Sequence, residues 1–166
     1  GSNVIHKTSD KGVSWEIMSP DLTRQLLLKD EEKAEIPGGP IQNDATGVEV
    51  YSSIFALEES PHVEGEIWTG SDDGLVHLTQ DGGKTWKEIN KGLPKLKGKM
   101  GIDISPANPN VVYMAIEAKE REGGVYRSND AGETFSQTTN DATTYARAWY
   151  YMHIIADPND EDELWV

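Results

Sequence analysis

The chain has 166 residues with 29 acidic against 15 basic side chains, a formal net charge of -14 and no cysteine. Such a surface disfavours nucleic acid or an anionic membrane as a partner, because both require a basic face to neutralise phosphates. Without cysteine there are no disulfides, thiolate nucleophiles or Cys-ligated zinc, and no apolar run of about 18 residues reads as a membrane-spanning helix.

In chain order, Gly1-Ser2 reads as an expression scar, and organised sequence starts at Asn3. Residues 3 to 18 are expected to supply two strands joined by the turn Thr8-Ser9-Asp10-Lys11-Gly12-Val13-Ser14-Trp15. This pattern returns at Thr79 to Trp86 and at Ser128 to Phe135 as Ser/Thr-x-Asp-x-Gly-x-Ser/Thr-aromatic. The carboxylates of Asp10, Asp81 and Asp130 suit the backbone amides of their own turns. Gly12, Gly83 and Gly132 supply a positive φ, and Trp15, Trp86 and Phe135 pin each hairpin to a core, with Trp86 buried beneath its turn.

The segment from 20 to 50, rich in Pro, Gly and acidic residues, breaks the rhythm and reads as an insertion or lid. Leu26-Leu27-Leu28 is expected to form a short helix there. Residues 51 to 90 and 99 to 139 then each run strand, Pro turn, strand, Gly, strand, Asp hairpin, strand. Their landmarks are Pro61 with Ile67-Trp68 and Pro106 with Val112-Tyr113. Residues 145 to 166 repeat only the first half of that cycle, with Pro158 and Leu164-Trp165. A period of about 50 residues with almost no helical periodicity predicts an all-β fold, a β-propeller of four-stranded antiparallel blades. One chain would hold three blades' worth: an outer half-blade (3 to 18), two full blades, and an inner half-blade (145 to 166). The complementary halves point to a homo-oligomer, in the first place a dimer of six blades with hybrid blades shared between chains.

Four phrases carry a family resemblance: Trp68-Thr69-Gly70-Ser71-Asp72-Asp73-Gly74-Leu75-Val76, Asp81-Gly82-Gly83-Lys84-Thr85-Trp86, Ser105-Pro106-Ala107-Asn108-Pro109 and Gly124-Val125-Tyr126-Arg127-Ser128-Asn129-Asp130-Ala131-Gly132. They resemble Asp-box (bacterial neuraminidase repeat) propellers, nearest to the sortilin-like bacterial glycosyl-hydrolase-type repeat proteins. The resemblance implies a propeller and a secreted or periplasmic setting. It leaves function open, because such groups include hydrolases, receptors and assembly factors.

On a propeller the Asp hairpins fall on the face opposite the ligand, so Asp10, Asp81 and Asp130 are read as structural. The ligand face is expected to carry Ser71-Asp72-Asp73-Gly74, the Glu117 to Gly124 turn, the Lys91 to Lys99 stretch, residues 139 to 149 and the long segment from 20 to 50. Adjacent carboxylates before a glycine commonly form only a turn, yet Asp72 or Asp73 opposing Glu117 could form the acid and base pair of a xyloglucanase-type glycoside hydrolase. Tyr145, Arg147 and Trp149 suit stacking on a sugar ring or gripping a peptide carboxylate, with alternate rings of the run turned into the core. The basic stretch from 91 to 99 reads as a solvated connecting loop.

A sialidase needs three arginines around the substrate carboxylate, whereas this chain has Arg24, Arg121, Arg127 and Arg147 with no Arg-Ile-Pro signature. The acidic turn from Asp157 to Glu163 lacks the glycine an EF-hand loop requires at its sixth position, and the four histidines show no metal-ligand spacing. No metal and no cofactor are expected. The function read from the sequence is a non-catalytic scaffold that binds a peptide, a protein or a glycan. The alternatives are the hydrolase and a self-associating fragment of a larger exported protein.

Overall fold

A computed structural model describes residues 2–24 and 51–166. The expected helix at Leu26-Leu27-Leu28 and the body of the proposed lid lie outside the described residues. The described chain is all-β and antiparallel. Strands β1 (His6–Lys7) and β2 (Glu16–Ile17) form a two-stranded sheet. The next four are β3 (Ile54–Glu59), β4 (Ile67–Ser71), β5 (Val76–Thr79) and β6 (Lys87–Glu88), and they make a meander in sequence order. Another meander contains β7 (Lys97–Ile104), β8 (Val112–Ala118), β9 (Gly124–Ser128) and β10 (Ser136–Thr139). A 3-10 turn (Ala142–Thr144) leads to the last pair, β11 (Ile155–Ala156) and β12 (Leu164–Trp165).

The second, third and last sheets pack face to face in chain order, and β8 shows why. Val112, Met114 and Ile116 point into a core shared with Trp68 and Val76 of the second sheet and with Met100 of β7. Tyr113 and Ala115 point the other way, into a core shared with Ala148, Met152, Ile154 and Ala156 of the last segment. A strand covered on both faces needs no polar alternation, and every residue of β8 is buried. Burying each large apolar side chain contributes about 1.5–3 kcal/mol, so this doubly covered sheet dominates the stability of the described residues. β10, at the far edge, is mostly exposed.

The three Asp turns share one hydrogen-bond set. Thr8, Thr79 and Ser128 donate their hydroxyls to Asp10, Asp81 and Asp130 at 2.8, 2.8 and 2.7 Å. The other carboxylate oxygens accept from the hydroxyls of Ser14, Thr85 and Thr134 at 2.6, 2.7 and 2.6 Å. The Ser or Thr hydroxyl that closes each turn, reinforced by its amide and the opening hydroxyl, holds each carboxyl down at about 2.

The aromatic residues after these turns are not equivalent. Phe135 is buried, whereas Trp86 is only half-buried and Trp15 is 61% exposed. The expected burial of Trp86 beneath its hairpin is therefore corrected. Its indole N–H donates to the Gly83 carbonyl at 3.1 Å, as that of Trp15 does to Gly12 at 3.2 Å, which lays the ring along its own turn. Phe135 instead meets the Trp68 ring of the preceding sheet edge to face, with centroids 6.3 Å apart.

Candidate functional site

Two regions concentrate chemistry. The first is a buried cluster at the β4–β5 turn. The Asp72 amide donates to the Ser53 carbonyl at 2.9 Å, and its Oδ1 accepts the Ser53 amide at 2.8 Å, a reciprocal clasp on the residue before β3. Asp73 Oδ1 accepts the Ser71 hydroxyl at 2.5 Å, and its Oδ2 accepts the Arg24 amide at 2.6 Å. On β8, Glu117 Oε2 accepts the Lys99 amide at 3.1 Å. All three carboxylates are buried.

Burial raises the Asp72 carboxyl to about 6, with the Asp73 charge adding to the rise, and burial likewise pushes Glu117 above the usual carboxylate range. Lys99 acts electrostatically on both Asp72 and Glu117, so it is the neighbour they share. Its ammonium stands 5.7 Å from the centre of the Phe55 ring. Lys97 donates to Asn90 Oδ1 at 3.1 Å and to the Pro94 carbonyl at 3.3 Å, and burial lowers its pKa to about 8.

These lysines overturn the reading of residues 91 to 99 as a solvated loop. The stretch ends inside β7, and both Lys97 and Lys99 are covered. A basic run cannot show which of its side chains a neighbouring sheet will roof. Arg24, the other cation of the cluster, reaches Asp73 from 49 residues away, a contact with no local signal in the sequence.

The second region follows the 3-10 turn. Residues 145 to 150 continue as turns, and alternation begins only at Tyr151: Tyr151, His153 and Ile155 face outward while Met152, Ile154 and Ala156 face the core. The Tyr151 and His153 rings stack at 6.0 Å with an interplanar angle of 27°, and Tyr150 meets Tyr151 edge to face at 5.3 Å. This wall separates two cavities. A cleft of about 270 Å³ lies between it and Phe55, Leu57 and Glu58 of β3, with Gly101 and Ile102 of β7 as its floor. A second cavity of about 280 Å³ contains Tyr145 and Arg147. Neither is lined by Asp72, Asp73 or Glu117.

Of the residues proposed from the sequence for ligand contact, Arg147 is exposed and Tyr145 and Trp149 are half-buried. The Tyr145 ring lies over Gly123, where a Cβ would come within 2.6 Å of it, and its hydroxyl donates to the Glu120 carbonyl at 3.2 Å. That places it as a support for the turn as much as a contact. Trp149 packs against Tyr150 at 5.6 Å. Sequence reasoning missed Tyr150, Tyr151 and His153 as the exposed wall, because the register of the strand had to be known first.

No protein-family model matches the chain. Over 84 residues, 48% of its length, the chain is 29% identical to the oligoxyloglucan-reducing end-specific xyloglucanase of Emericella nidulans. A solved structure of YCF48 bound to D1 peptide overlays 84% of this chain at a TM-score of 0.46 with 18% identity. The chain spans 10% of the curated relative and 35% of the structural neighbour.

Proposed function

We propose that the chain belongs to a β-propeller-type binding scaffold that takes a short glycan or peptide across the Tyr151–His153 wall. The carrying observation is that these two stacked rings are exposed and shared by two cavities, one apolar-floored and one bearing Arg147. Paired ring faces suit a sugar ring or an aliphatic side chain, and a guanidinium nearby suits a carboxylate on the same ligand. The sheets packed in chain order, with β3, β7 and the segment into β11 bordering one cleft, support the propeller reading, as do the three matching Asp turns. In this reading Tyr151, His153 and Arg147 contact the ligand, while Tyr145 and Trp149 hold them in place.

The second reading, a glycoside hydrolase, draws on the partial likeness to a xyloglucanase and on Asp72, whose carboxyl near 6 could exchange a proton at neutral pH. Against it stands the use of Asp72, Asp73 and Glu117 in backbone clasps away from both cavities. Glycan and peptide arrays followed by titration calorimetry test the choice. The expected result is a ligand whose affinity falls at least tenfold with Tyr151→Ala while melting is unchanged. Turnover of xyloglucan oligosaccharides that disappears with Asp72→Asn would favour the hydrolase instead.

A further inference from the structure

We propose that the cleft between β3, β7 and the Tyr151–His153 wall takes a lysine or arginine side chain of a peptide, with Glu58 as the residue that selects its charge. The proposal rests on the binding reading of the same wall and adds the class of ligand. Phe55 and Glu58 stand on one side of the cleft, Tyr150, Tyr151 and His153 on the other, and Gly101 lies at the floor. Whole small-molecule ligands occupy pockets of about 300–1,000 Å³. At about 270 Å³ the cleft suits one side chain of a longer ligand.

Glu58 meets only like charge there. Its neighbour Glu59 accepts the Gly65 amide at 3.0 Å and Glu117 accepts the Lys99 amide at 3.1 Å, whereas among the described residues no donor meets the Glu58 carboxylate. Asp103 of β7 is the charge that acts on it, and burial together with that charge raises the Glu58 carboxyl above its usual range. Asp103 is itself engaged by the Ala156 amide, at 2.7 Å. Among the described residues no lysine or arginine lines the cleft. An ionised carboxylate is disfavoured in this setting, and an incoming cation offsets the cost.

The rings supply the rest of a cation site. Tyr151 is exposed, stacks on His153 and meets Tyr150 edge to face, so aromatic surface runs along the cleft. The chain uses the same chemistry elsewhere. The Arg127 guanidinium lies 5.4 Å from the centre of the Tyr113 ring and bonds Asp162, which sets one cation between a ring and a carboxylate. The Lys99 ammonium stands over Phe55, on the border of the cleft, and acts on Asp72 and Glu117. A cation held by a ring and a carboxylate together gains from both where water is partly excluded.

The floor fits an aliphatic stem. Gly101 is bare backbone, and a Cβ there would come within 2.7 Å of the Met152 carbonyl. Ile102 continues the floor. Lysine and arginine lay their methylenes on such surfaces while the charged head stays with polar groups. A neutral sugar would share the ring stacking but leave the Glu58 charge uncompensated, so the cleft favours the cation.

Magnetic resonance titration of the intact chain with Nα-acetyl-arginine amide and Nα-acetyl-citrulline amide tests the proposal, since the two probes differ in charge and barely in shape. The salt is set at about 150 mM, where exposed charges are screened beyond about 8 Å. The arginine amide should shift the Gly101 and Tyr151 amide signals saturably and bind at least tenfold more tightly than the citrulline amide. Glu58→Gln should lower the arginine affinity at least tenfold, to the level of citrulline. Glu16→Gln, which removes an exposed carboxylate on β2, should leave it unchanged. The two probes on the parent chain decide the case if Glu58→Gln fails to fold. Equal binding of the probes, shifts confined to residues outside the cleft, or equal losses in Glu58→Gln and Glu16→Gln would overturn the proposal. A neutral glycan that needs Tyr151 but binds the parent and Glu58→Gln alike would overturn it and leave the scaffold reading standing. Charge-selective binding that Tyr151→Ala leaves unchanged would remove the wall as a contact and keep Glu58 as the selector.

Discussion

The Trp68 ring occupies the space that a side chain on Gly132 would need. Trp68 belongs to β4 and Gly132 to the Asp turn of the next sheet, so the contact sets how closely consecutive sheets approach. The glycine has two duties: it holds φ at +85°, and it presents bare backbone to the indole. Phe135, three residues on, closes the other side of the ring edge to face.

Two glycine variants separate these duties. Gly82, at φ +72°, has open space where a Cβ would stand, so Gly82→Ala should cost only the left-handed backbone penalty, about 1–2 kcal/mol. Gly132→Ala adds overlap with the Trp68 ring and should cost a further 1–3 kcal/mol, roughly the range for overpacking. Urea denaturation of both measures the difference. Equal losses would show that the ring contact does not set the spacing.

The all-β antiparallel character was legible because the Asp turns and Pro turns punctuate short apolar runs at a steady interval. Local chemistry sufficed there, since each Asp turn closes within its own eight residues. What lay beyond the sequence depended on which element roofs which. Lys97 and Lys99 read as solvated until the second sheet is laid over β7. Asp72-Asp73-Gly74 read correctly as a turn, but its burial comes from Ser53 and Arg24, distant in sequence. The Tyr151–His153 wall needed the strand's register, which the run Trp149-Tyr150-Tyr151-Met152-His153 does not reveal by itself.

The acid response should have two limbs of opposite sign. Asp72 holds its proton more tightly folded, at about 6, than at its ordinary 3.8, so its effect on stability is most favourable below pH 4 and is lost as pH rises from about 4 to 6. A rise of about two units corresponds to on the order of 3 kcal/mol. Asp10, Asp81 and Asp130, held at about 2, contribute stability above pH 4 that is lost as pH falls toward 2. Asp72→Asn should therefore flatten the limb between pH 4 and 6 and leave the lower limb unchanged. Chemical denaturation at half-unit intervals checks this, and an unaltered upper limb would assign it to other buried carboxyls.

Neighbouring residues at the wall should behave oppositely. Met152 is buried in the core beneath Ala115 and Ile154, so Met152→Ala should cost about 2–5 kcal/mol. Tyr151 faces outward, and Tyr151→Ala should stay within about 0.5 kcal/mol of the parent. Denaturation midpoints for the two variants test the alternation directly. A large loss at Tyr151 would mean that its ring packs as core, which would also weaken its assignment as a ligand contact.

Arg127 ties the last two-stranded sheet to the one before it. From β9 its guanidinium lies 5.4 Å from the centre of the Tyr113 ring, bonds Asp162, and stands 3.6 Å from Glu161, while the Tyr113 hydroxyl donates to the Glu161 carbonyl at 2.6 Å. The arginine side chain is largely covered, whereas Asp162 is exposed. Arg127→Ala loses the packing over Tyr113 together with the charged hydrogen bond, and should cost about 2 kcal/mol. Asp162→Ala loses mainly a screened ion pair, and should cost less than about 1 kcal/mol. Raising the salt to 1 M should erase most of the Asp162 effect and little of the Arg127 effect, because a cation packed on a ring under cover is poorly screened. Denaturation of both variants at low and high salt decides the matter: equal losses that vanish together in salt would reduce the clasp to surface electrostatics.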